Sequence, residues 1–95
     1  MREYELAFIL SPELDETATQ TSVDKIKGWI TETGGSIEKM DAKGRQRLAY
    51  LIRNQKEGQY YILDMKMNPE EIAPLERRFR LEEPVMRFLI IRKEE

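Results

Sequence analysis

The chain contains neither cysteine nor histidine among its 95 residues. The first absence excludes disulfides and thiolate metal sites and fits a reducing cytoplasm. The second removes the commonest general base and the commonest metal ligand. No apolar run approaches the roughly 18 residues of a membrane span. The opening Met1-Arg2-Glu3-Tyr4-Glu5 is acidic where a secretory leader is basic and then apolar, so a cytoplasmic location is expected. A phosphate-cradling glycine loop is missing too, because Gly34-Gly35 precedes a strand pattern instead of a helix. Ser11 and Ser36 have no histidine to activate them, and no pair among the 18 acidic residues stands out as catalytic. The chain is expected to bind no metal or cofactor and to catalyse nothing.

What is present is enough for one core, so residues 1–95 are expected to form a single domain. Apolar residues make up 40% of the chain and charged residues 36%, a balance that supports a stable fold on a heavily charged surface. The net charge of −2 is unevenly spread. Residues 1–35 hold three basic side chains against seven acidic ones, whereas residues 36–56 hold six basic against two acidic. Lys39, Lys43, Arg45, Arg47, Arg53 and Lys56 therefore make a basic stretch on a mildly acidic protein.

Hydrophobic periodicity gives the elements. Tyr4, Leu6, Phe8 and Leu10 alternate and predict a strand over 4–10, closed after Ser11 by Pro12, which lacks an amide proton. Val23, Ile26 and Ile30 lie at helical spacing within 16–33, behind Asp15 and Glu16 and before the stop at Gly34-Gly35. Trp29 belongs on the flank of this helix, at the core's edge. A second strand is expected over 36–40, interrupted by the polar stretch Asp41 to Gln46 and resumed over 47–53. Asn54 to Gly58 has the composition of a hairpin connection. A third strand over 60–67 turns Tyr61, Leu63, Met65 and Met67 inward. Asn68-Pro69-Glu70-Glu71 reads as a helix start with Asn68 as N-cap, followed by Ile72, Leu75 and Phe79 at spacings of three and four. The last strand is Val85 to Arg92.

The order βαββαβ implies an α+β, ferredoxin-like fold. Two split βαβ units with right-handed crossovers give a four-stranded antiparallel sheet of order 4-1-3-2, carrying both helices on one face. The covered face should take Tyr4, Leu6, Phe8, Leu48, Tyr50, Ile52, Tyr61, Leu63, Met65, Phe88 and Ile90. The uncovered face should still hold Ala7, Ile9, Ala49, Leu51, Tyr60, Ile62, Leu89 and Ile91, mixed with Arg47, Arg53 and Arg87. A bare antiparallel face normally alternates to polar residues, so an apolar patch there predicts a docking surface for a partner. The RNA recognition motif shares this element order, but it needs alternate aromatics on the open face. Here Tyr60 and Tyr61 are adjacent, so only one can face outward, and the first strand offers Ala7 and Ile9.

The segment Gly44-Arg45-Gln46-Arg47-Leu48-Ala49-Tyr50-Leu51-Ile52, followed by Glu57-Gly58-Gln59-Tyr60-Tyr61, resembles the signature of the bacterial small-subunit ribosomal protein six family. The opening Met1 to Glu5 and Gly34-Gly35 are also similar to that family, and the resemblance spans essentially the whole chain. Leu51 stands where some members have proline, and the long C-terminal tail of some members is absent from this sequence. The resemblance implies a structural, non-catalytic protein of the ribosome's small subunit. It also implies binding to small-subunit ribosomal RNA in the central platform, as a heterodimer with small-subunit ribosomal protein eighteen. On that reading the apolar patch meets the partner protein and arginines meet phosphates. Antiparallel pairing of the first and last strands should bring Arg2 beside Arg92 and Lys93 at one end of the sheet. Arg87 is a further candidate near the other end, and Arg45 and Arg47 match motif positions. Arg77, Arg78 and Arg80 are expected to be solvated or ion-paired surface charges. The alternative is a self-associating ferredoxin-like interaction domain that pairs sheets face to face and has no RNA role.

Overall fold

A computed structural model describes residues 1–93. The elements are β1 (Arg2–Leu10), α1 (Glu16–Glu32), β2 (Ser36–Ile52), β3 (Gln55–Met67), a 3-10 turn over Pro69–Glu71, α2 (Ile72–Leu81) and β4 (Val85–Arg92). The strands form one antiparallel sheet in the order β2-β3-β1-β4, which is the expected 4-1-3-2 order read from the other edge.

Local chemistry sets the helix ends. Asp15, in extended conformation, accepts a hydrogen bond from the Ala18 amide at 2.7 Å and caps α1. The helix stops where Gly34 adopts φ +85°, its amide donating to Thr31 O while that of Gly35 donates to Ile30 O. The start of α2 differs from expectation. Asn68 makes no side-chain cap; its carbonyl accepts from the Glu71 amide at 2.9 Å inside the proline-led 3-10 turn. That turn orients the chain before α2 begins, so a side-chain cap is not needed there.

The core lies between the helices and one sheet face. Tyr4, Leu6, Phe8 and Leu10 from β1 and Leu63, Met65 and Met67 from β3 meet Val23, Ile26, Trp29 and Ile30 of α1 and Leu75 and Phe79 of α2. Phe79 is its hub. Its ring stacks on Phe88 at 5.0 Å between centroids, meets Trp29 edge-on at 5.4 Å, and lies 6.0 Å from Phe8. Trp29 is thus buried inside this cluster, deeper than the edge position its sequence context suggested.

The larger departure is β2. The polar stretch Asp41 to Gln46 does not interrupt it; the strand is continuous from Ser36 to Ile52. Continuity is kept by register shifts against β3 between Ile37 and Lys39, Ala42 and Gly44, and Arg47 and Ile52. Gly44, at φ +78°, accommodates one of them. Each bulge inserts residues that β3 does not match, so simple alternation fails beyond it. Leu48, Tyr50 and Ile52 consequently do not join the core; Tyr50 is 59% exposed.

Pairing of β1 with β3 ends at Leu10 and Gln59, so the far parts of β2 and β3 continue past β1 as a two-stranded arm. The connection is shorter than expected. Only Arg53 and Asn54 separate the Ile52–Gln55 pair, and both have positive φ (51° and 62°), as a two-residue type I′ hairpin requires. Arginine is an unfavourable residue at such a position. Its guanidinium offsets the strain by donating to Glu83 O at 2.7 Å and Val85 O at 3.0 Å. Arg45 donates to Pro12 O and Gln55 to Glu13 Oε1, both at 2.7 Å, and Gln59 donates to Ser11 O at 2.9 Å. The arm is thereby tied to both the β1–α1 loop and the start of β4.

Gly58 has a steric reason to be glycine: a Cβ there would fall 2.3 Å from Ile9 Cγ2. Gly58→Ala is expected to destabilise the protein by about 1–3 kcal/mol in urea titrations. Adding Ile9→Ala should restore part of that loss, whereas additive costs would show that the clash is not the cause. Arg53→Ala is expected to cost about 1–3 kcal/mol through its two lost hydrogen bonds. Amide exchange should then accelerate within 46–58 and at the start of β4 while the helices keep their protection.

Candidate functional site

The sheet face away from the helices is built of cross-strand rows. One row runs Asp41, Ile62, Ala7, Leu89, and the next runs Gly44, Tyr60, Ile9, Arg87. Together they give an apolar field centred on Ala7, Ile9, Tyr60, Ile62 and Leu89, with a shallow depression bounded by Arg87. No helix covers it, and Leu89 is 56% exposed. The neighbouring row, Lys39, Asp64, Glu5, Ile91, begins a charged half of the same face, so Ile91 sits at the boundary. Ala49 and Leu51 are exposed on the β2–β3 arm, outside these rows.

The six candidate basic residues do not form one patch. Arg92 pairs with Tyr4, whose ring is in the core, and Arg2 lies two residues before Tyr4 on the same strand. Both therefore leave the sheet on its helix side, at one end. Lys93 lies at that end but on the open side, its amide donating to Glu3 O at 3.0 Å. Its ammonium meets the Asp64 carboxylate at 2.8 Å. That hydrogen bond, with the nearby charges of Glu3 and Glu5, outweighs partial desolvation and holds Lys93 above the ordinary lysine pKa. It stays protonated, and its charge is already paired with Asp64. Arg87 is on the open side at the opposite end, paired with Ile9.

Arg45 and Arg47 line a groove with Pro12, Glu13, Gln55, Lys56 and Glu57 on the arm. Arg45 is engaged there by Glu57 at 3.2 Å and by Pro12 O. Among the described residues, Arg2, Arg47, Arg87 and Arg92 have no carboxylate partner within 4.0 Å. On α2, Arg78 is paired with Glu32 at 3.3 Å and lies over the Trp29 ring, a surface role that matches expectation.

Alternation missed one residue at this surface. Tyr50, assigned to the core, instead brings its hydroxyl to the Arg87 guanidinium, whose carbon lies 5.4 Å from the ring centroid. Gly44 was the available signal, because a glycine inside a strand pattern marks a bulge and unsettles the facing of every residue after it. Among the described residues, no cluster of acidic side chains could hold a metal ion, and no helix is long and apolar enough to cross a membrane.

Comparison with known proteins agrees with this architecture. A family model described as ribosomal protein S6 matches residues 3–92. The small ribosomal subunit protein bS6 of Clostridium novyi is 47% identical over 94 residues, covering 99% of both chains. The bS6 protein of Salinispora arenicola is 44% identical over 94 residues, covering 99% of this chain and 98% of its own. The crystal structure of 30S ribosomal protein S6 from Thermotoga maritima superposes with a TM-score of 0.92 at 28% identity, covering 97% of this chain and 87% of that one. With the family model spanning the whole sheet and both helices, the chain belongs to the ribosomal protein S6 family of the small ribosomal subunit.

Proposed function

We propose that this protein binds small-subunit ribosomal RNA in the central platform region as a heterodimer with small-subunit ribosomal protein eighteen. The observation that carries the reading is the uncovered apolar field Ala7, Ile9, Tyr60, Ile62 and Leu89, bordered by Arg87, which has no carboxylate partner among the described residues. A partner covering that field removes exposed apolar surface and adds its own basic groups to those of this chain. Ile91, Ala49 and Leu51 extend the contact at its margins. Arg2, Arg92 and Arg87 meet backbone phosphates, with Arg47 and Arg45 contributing from the arm. Lys93 contributes least, because its ammonium is already paired with Asp64.

Division of labour follows from charge. A chain of net charge −2 repels a polyanion at long range, so a few exposed arginines give weak binding alone. Docking a second protein beside them sums two modest surfaces into one.

The test is binding to a fragment of the platform RNA across a salt series, with and without purified protein eighteen. Tight, salt-sensitive binding is expected only when the partner is present. Failure in both conditions, with homodimerisation through the open face, would replace this reading with that of a self-associating domain. Within the complex, Arg92→Ala is expected to lower the slope of log affinity against log salt by about one. Lys93→Ala should leave that slope nearly unchanged. Equal effects of the two substitutions would show that Asp64 does not neutralise Lys93 in the bound state.

A further inference from the structure

We propose that Tyr50 and Arg87 together form a stacking site for one unpaired nucleobase of RNA, which rests on the RNA-binding role above and names the RNA feature taken there. Two features of the pair point to a nucleotide. Tyr50 is 59% exposed, although most large apolar residues of the sheet are buried or half-buried. Beside it the exposed guanidinium of Arg87 stands 5.4 Å from the ring centroid, bonded to the Tyr50 hydroxyl and free of any carboxylate partner among the described residues. A nucleotide offers the complementary parts: a flat π face for the ring and a phosphate for the cation.

The site is also held in advance. Tyr50 lies three residues before Arg53, whose bonds to Glu83 O and Val85 O fasten the arm beside β4, the strand that carries Arg87. Little ordering remains to be done when a base arrives, which favours binding. A base inside a duplex has both faces stacked, so only a looped-out or terminal base fits. Arg87 remains exposed beneath this contact, so Tyr50 does not act as a cover that must be displaced.

The experiment uses the platform RNA fragment and the heterodimer with protein eighteen. 2-Aminopurine replaces each unpaired base in turn, and the same positions are then made abasic. One position should change its fluorescence on binding, and the abasic substitution there should weaken affinity roughly 5- to 100-fold. Tyr50→Leu should produce a similar loss and abolish the fluorescence change. Tyr50→Phe, which keeps the ring, should stay within about threefold of wild type. The proposal is overturned if Tyr50→Leu binds like wild type, or tighter, or if no position reports a stacked base. It is equally overturned if Tyr50→Leu prevents heterodimer formation without RNA, which would make the tyrosine a protein contact. The abasic series tests the site even if the Leu variant folds poorly. Wild-type complex that binds the fragment tightly with no base reporting removes this site alone, whereas absence of all binding removes the RNA role itself.

Discussion

The packing of Phe79 is the contact on which the remaining architecture depends. From the last turn of α2 its ring reaches Trp29 of α1, Phe8 of the central strand β1 and Phe88 of the edge strand β4. One side chain thus fixes both helices against the sheet and against each other. It also sets which face of β4 turns inward, and therefore which residues of β4 turn out. Because Phe88 stacks on Phe79, Arg87 and Leu89 must point to the uncovered side. The facing of the open side is in this sense a consequence of an aromatic contact on the opposite side of the sheet.

Two helices cannot cover both sides of a four-stranded sheet, and this chain leaves the uncovered side half apolar and half charged. The division follows the strand axis. Rows through Glu3 and Glu5 carry Lys66, Asp64 and Lys39, in which neighbouring charges compensate one another; rows through Ala7 and Ile9 carry Ile62, Leu89 and Tyr60. Exposed ion pairs of this kind add little stability, but they keep their half of the face solvated. The apolar half has no such protection within the chain. The asymmetry confines the apolar field to one end, the same end at which the β2–β3 arm folds across to β4.

Much of this was legible from periodicity. Alternation is regular where β1 pairs with β3 and, up to a shift between Ile9 and Leu10, with β4, so a period of two identified Tyr4, Leu6, Phe8, Leu63, Met65 and Phe88 as inward and Ala7, Ile9, Ile62 and Leu89 as outward. The helices were equally plain from Val23, Ile26, Ile30, Leu75 and Phe79. β2 was not legible, since three register shifts lie within its 17 residues and each breaks the alternation that reading depends on. The type I′ turn was hidden for a related reason: Arg53 occupies a position normally taken by asparagine or glycine, and its tolerance there comes from carbonyls some 30 residues away. Placing the basic residues failed only in part. Their positions along the strands were readable, but their pairing was not, because Asp64 meets Lys93 and Glu57 meets Arg45 only once the strands are aligned.

That pairing decides which cations are available. Along β4, Arg87 and Arg92 are five residues apart, about 17 Å in an extended strand, and the odd separation sends them to opposite faces. β4 is an outer strand, so both arginines overlook the same edge of the sheet, one from each side. Arg53 reaches that edge from the arm but spends its donors on Glu83 O and Val85 O, and Arg78 of α2 is occupied by Glu32. Of the arginines without a carboxylate partner among the described residues, Arg87 and Arg92 therefore follow this edge, while Arg2 lies on β1 and Arg47 on the arm. An edge lined on both sides suits the rounded backbone of a folded RNA, and a flat partner suits the field next to it. Under the proposed function, RNA and partner protein meet this chain on adjoining surfaces without competing, with Arg87 at the corner where those surfaces join.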